Sequence, residues 1–127
     1  MPGIVEVAMR NAVRPGMILH TPTHRKPFEV ERLDSRGISL LLGKDRTRSV
    51  IPWQCLEGIP PYVHQKGGRV EIGGQYKVGA RPGTLDAYLK AWVNRATAGW
   101  VAVVLETAGV LEITSDRPAQ VRLLSGF

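Results

Sequence analysis

Two short runs of cationic side chains carry the most evident chemistry in this chain: His24-Arg25-Lys26 and Lys44-Asp45-Arg46-Thr47-Arg48. Arg46 and Arg48 can each meet a phosphate, or a guanine edge, through two parallel N–H donors. Arg25, Lys26 and Lys44 supply the plain positive charge that phosphate neutralisation needs. Thr21, Thr23, Thr47 and Ser49 sit beside them and can add neutral hydrogen bonds to a nucleic-acid backbone. Lys66, Arg69, Lys77 and Arg81 form a looser second set among glycine turns. Tyr62 and Tyr76 flank that stretch and are candidates for base stacking.

Other chemistries fit the residues less well. His20 and His24 have the i,i+4 spacing of a helical metal pair, but Pro22 between them disfavours a helix. His64 lies far along the chain and no cysteine pair completes a zinc site, so no metal and no cofactor is expected. Cys55, the one cysteine, sits between Trp53 and Leu56 and reads as core rather than nucleophile. Gly74-Gln75 stand where a phosphate-binding loop needs Lys and Ser/Thr. One enzymatic alternative survives: a small metal-independent ribonuclease toxin using His20, His24, Arg25 and Arg46. Whether the chain is an enzyme stays open, with binding favoured over catalysis.

The elements that must hold these residues are mostly short strands. The segment 1–16 suits an edge strand or a short helix, closed by Arg14-Pro15-Gly16. Met17–His20 is a short apolar run, and Phe28-Glu29-Val30-Glu31 alternates as a half-buried strand does. Asp34-Ser35-Arg36-Gly37 is a turn, and Ile38–Leu42 returns from it as the second arm of a hairpin. Both cationic runs then fall at the open end of that hairpin, with Arg36 at the other end. Ser49–Ile51 is a further strand, and Trp53–Gly58 a helical turn that Pro60-Pro61 should stop. Arg69–Ile72 alternates again and could pair with 75–78 across Gly73-Gly74.

Beyond residue 83 the period changes. Leu85, Tyr88, Leu89, Trp92 and Val93 mark one face of a helix, with Thr84 as its N-cap. Asn94–Thr97 is a break, and Val101, Val104, Leu105 and Ala108 mark a second helix that ends at Gly109. Val110–Ile113 and Gln120–Leu124 are strands joined by a turn.

Residues 84–124 resemble the second half of a winged helix-turn-helix domain. The motif is Thr84–Lys90, then Arg95–Trp100, then Val104-Leu105-Glu106-Thr107-Ala108-Gly109-Val110-Leu111, followed by a wing from Glu112 to Leu124. The resemblance implies that Arg95, Thr97 and Trp100 start a recognition helix and that Arg117 sits at the wing tip. The family's first helix is not evident in the sequence. Residues 14–59 are similar, more loosely, to small SH3-like barrels.

The 127 residues carry 17 Lys+Arg against 11 Asp+Glu, a formal charge of +6. Residues 1–83 hold 13 basic and 7 acidic side chains, whereas 84–127 hold 4 of each. All of the surplus therefore belongs to the first half, and the helix-turn-helix-like segment is electrostatically neutral. A surplus of this sign points to a polyanion. No run is apolar enough to span a membrane, and a lone cysteine suits the reducing cytoplasm.

The expected protein is α+β: a small N-terminal β-barrel or curled antiparallel sheet, then a helix pair and a C-terminal, wing-like β-hairpin. A β-rich module over 1–78 and a helical segment over 79–127 share one core. The expected function is nucleic-acid binding, DNA before RNA, through Arg25, Lys26, Lys44, Arg46 and Arg48, with added contacts from Arg95, Thr97 and Arg117. The alternative is a protein-interaction or homodimerisation module docking through Trp100 and Val103 on the 97–108 helix.

Overall fold

The computed structural model describes residues 2–22, 24–73, 82–93, 97–114 and 118–127. The class is α+β. The chain begins with helix α1 (Ile4–Ala12), which resolves the ambiguous first segment in favour of a helix. Val5 and Met9 point into the core from α1. Its N-cap, Gly3, has no side chain to offer the first amides, and a residue from elsewhere does so. The Glu57 carboxylate accepts from the amides of Val5 at 3.1 Å and Glu6 at 2.8 Å. A Cβ on Gly3 would run into that carboxylate. Glu57→Ala is therefore expected to cost about 0.5–2 kcal/mol, the range of a lost helix cap, measurable as a lower urea midpoint at unchanged slope.

Strands β1 (Ile18–His20), β2 (Pro27–Leu33), β3 (Gly37–Leu42) and β4 (Thr47–Pro52) form an antiparallel sheet in sequence order. β1 and β4 are its two edges, so it is an open sheet rather than a closed barrel. The expected β2–β3 turn forms, with the Asp34 carboxylate accepting from the amides of Arg36 and Gly37. Gly37 is required by close approach: a Cβ there would strike the Ile51 carbonyl oxygen. Phe28, Val30, Ile38, Leu40, Leu42 and Ile51 are buried beneath the sheet. A register shift between Val30 and Arg32 marks a β-bulge at Glu31.

Two helices follow, α2 (Trp53–Glu57) and α3 (Ile59–Gln65). The expected helical turn over Trp53–Gly58 forms as α2 and ends at Glu57, but Pro60-Pro61 do not end helical structure. These prolines start α3 instead, because N–H groups in the first turn have no helical acceptor and nothing is lost by removing them. β5 (Arg69–Glu71) pairs with β7 (Gln120–Leu123), which also pairs with β6 (Leu111–Ile113). The proposed pairing of Arg69–Ile72 with 75–78 involves a partner outside the described residues. The small sheet β5-β7-β6 thus takes one strand from the first 78 residues and two from the remainder.

A helix pair is present as α4 (Leu85–Lys90) and α5 (Ala98–Thr107), with the Thr84 hydroxyl capping α4 from the predicted position; α4 is shorter than predicted, since Trp92 and Val93 lie beyond its end and Trp92 is exposed rather than on a core face. Gly109 adopts φ +78° just beyond α5, as a left-handed helix stop requires. α5 packs against α1, β1, α4 and β6. Val101, Ala102, Val103, Val104 and Leu105 are all buried along it. One hydrophobic cluster runs from Val5 through the large sheet and α5 to Val121. Among the described residues no helix is long and apolar enough to cross a membrane.

Candidate nucleic-acid interface

The sheet register places the two cationic runs as the hairpin predicts. Phe28 at the start of β2 is aligned with Leu42 at the end of β3, and Leu42 with Thr47 at the start of β4. The 21–26 and 43–46 loops therefore share one end of the sheet, and Arg36 lies at the other. Thr21 and Lys26 join across this connection: Thr21 N–H donates to Lys26 O, and Lys26 N–H donates to the Thr21 hydroxyl at 2.9 Å. Each loop holds an arginine in the left-handed region, Arg25 at φ +51° and Arg46 at φ +52°. Such conformations cost a side-chain-bearing residue about 1–3 kcal/mol and recur at functional sites.

The five cations of this end are not equivalent. Arg25, Lys26 and Lys44 are exposed, and none makes a side-chain ion pair among the described residues. Arg46 and Arg48 are held. Arg48 grips Glu31 with two donors, Nε and Nη2, each at 2.7 Å. Arg46 Nη1 donates to Glu29 Oε1 at 2.8 Å. Both pairs reach from the β4 side across the central strand β3 to β2, over the outer face of the sheet. Glu31 is the bulged residue, and a bulge re-aims a side chain. The Arg48 hydrogen bond holds the Glu31 carboxyl below the usual carboxylate range and raises the Arg48 guanidinium in return.

Sequence reading missed Glu29 and Glu31. The signal was present: Glu-x-Glu on one strand and Arg-x-Arg leading into another have the same two-residue period, so both acids and both bases fall on one face. Counting cations by loop hid a pairing set by strand register. With Asp45 included, five cations at this end face three carboxylates.

The remaining predicted residues are scattered. Thr97 is fully buried as the N-cap of α5, makes no side-chain cap bond, and its hydroxyl has no partner among the described residues. Trp100 is half-buried against the core, and Val103 is 9% exposed. α5 contains no Lys or Arg. The N-terminal end of α5 does approach the basic loop, since a Cβ on Gly99 would stand 3.9 Å from Pro22 Cδ. Thr23, Tyr76, Lys77, Arg81, Arg95 and Arg117 lie outside the described residues. Ser49 is buried and Thr47 exposed.

Tyr62 is half-buried and engaged within the fold. Its hydroxyl donates to Thr84 O at 2.9 Å, and its ring packs on Tyr88 with centroids 4.9 Å apart. Tyr88 in turn donates to Cys55 O at 2.6 Å, and burial pushes its hydroxyl up to about 12. The Cys55 thiol is pushed up to about 12 by burial as well, so it is protonated at neutral pH and is a core residue. Lys66 and Arg69 line a polar cleft of about 370 Å³ with Glu71, Thr84 and Gln120. His20, His24 and His64 are exposed on a strand, a loop and a helix, and no group of three potential metal ligands occurs among the described residues.

No family model, curated protein or solved structure matches the chain.

Proposed function

We propose that this chain is a cytoplasmic nucleic-acid-binding protein, DNA its first candidate ligand, and that it grips the phosphate backbone at the 21–26 and 43–46 end of its large sheet. One observation carries the reading. Arg25, Lys26 and Lys44 are exposed, unpaired among the described residues, and gathered at one sheet end in the half of the chain that holds the whole charge surplus. Charge of this kind binds phosphate without reading sequence.

The winged-helix resemblance enters as architecture. It gains support from α3, a helix preceding α4 at the place where the sequence shows none, and from the β6–β7 hairpin after α5. Groove reading by α5 has no such support. That helix carries no cation and is covered by α1 and β1.

The test is a titration of labelled duplex DNA, monitored by anisotropy, between about 50 and 200 mM salt. Three phosphate contacts give a log–log slope of about −2.7. Absence of binding at micromolar protein and the lower salt would refute the proposal.

A further inference from the structure

We infer that Glu29 and Glu31 act as built-in competitors of phosphate, holding Arg46 and Arg48 off a nucleic-acid ligand, so that the chain binds with three cations although five stand at the site. The inference rests on the proposed binding end and deepens it.

A carboxylate and a phosphate present the same paired acceptors to an arginine fork. The two-donor contact of Arg48 with Glu31 is the geometry the same arginine would adopt on a backbone phosphate. While it lasts, that fork is occupied. Glu29 holds Arg46 through one donor, Nη1, at the arginine whose backbone is left-handed in the 43–46 loop, so its charge opposes a phosphate there although the fork is only partly occupied. The competition is real because the pairs are solvent-exposed. The arginine side chains are 60% and 56% exposed and the glutamates 24% and 21%. An incoming phosphate can reach the guanidinium, yet it must displace a carboxylate already in place and lie beside its negative charge. The bulge at Glu31 and the two-residue period of Glu29 and Glu31 put both acids on the face that both arginines cross.

Removing only the charge of the acids should therefore recruit the arginines. In Glu29→Gln/Glu31→Gln the amides keep size and hydrogen bonding but no longer hold a guanidinium as a counter-ion. Two recruited contacts steepen the salt slope on duplex DNA from about −2.7 to about −4.5. At about 0.1 M salt they tighten binding by several tens-fold, since each contact is worth about 0.9 decade there. Glu112→Gln is the control. It deletes one negative charge, against two in the double variant, from the exposed Glu112–Arg122 pair of the other sheet and should leave the slope unchanged. Thermal melts establish that each variant is folded before titration.

A steeper slope in the double variant than in the wild type, without one in Glu112→Gln, supports the inference. Three results overturn it. These are an unchanged slope in the double variant, an equal gain in Glu112→Gln, or a wild-type slope already near −4.5, the value expected for five contacts. In each of those the binding reading survives. If the wild type does not bind duplex DNA, the binding reading falls and this inference with it.

Discussion

Leu105→Ala should lower the stability of this protein by about 2–5 kcal/mol, the cost of emptying a fully buried leucine site. Leu105 is 0% exposed on α5, the helix that meets α1, β1, α4 and β6. Few elements of this fold meet so many others, so the surroundings of α5 have little freedom to collapse into the cavity. Against a typical total of about 5–15 kcal/mol the loss is a large fraction. A chain of this size should melt on the order of 10 °C lower. Calorimetry or a circular-dichroism melt measures it. The outcome also separates two roles for α5. As a core helix it yields a concentration-independent drop in Tm. A docking helix would show a near-normal Tm at low concentration and a stabilisation that grows with concentration. The buried run Val101–Leu105 favours the first outcome.

The second large effect concerns binding. Arg25→Ala, Lys26→Ala and Lys44→Ala combined should remove about 2.7 from the salt slope. At about 0.1 M salt that amounts to a loss of a few hundredfold in affinity for duplex DNA. All three residues are exposed, and none supports another part of the fold through its side chain among the described residues. Stability should therefore change little, as is usual at such surfaces. Arg36→Ala removes one positive charge at the opposite end of the same sheet, and it should cost far less. An equal per-charge loss in that variant would mean that net charge, not this sheet end, sets the affinity. Anisotropy titrations of both variants across salt distinguish the two.

These two predictions divide the chain in the way its charge does. The first half presents the unpaired cations. The second half contributes a helix with most of its residues buried. α5 was only half readable: apolar residues that go round a helix suit a core or a protein interface alike, and it is the packing on α1, β1, α4 and β6 that buries Val101–Leu105. The Asp34–Gly37 turn was readable, since a carboxylate that accepts from amides two and three residues ahead is a local contact. α3 was not readable, because prolines stop or start a helix according to what precedes them.

Composition and short-range pattern by themselves determined the α+β class, the hairpin that brings both cationic runs to one end, and the concentration of positive charge before residue 84. Each of these rests on a count or on contacts a few residues apart. Tertiary structure alone decided which cations are available. Arg46 and Arg48 meet Glu29 and Glu31 across 17 residues of sequence, through the register of three strands and one bulge. Glu57 reaches the first turn of α1 from more than 50 residues away. Charge is a property of residues and can be counted in a sequence. Its compensation depends on which side chains fold to within hydrogen-bond distance, and that is fixed only when the strands have aligned.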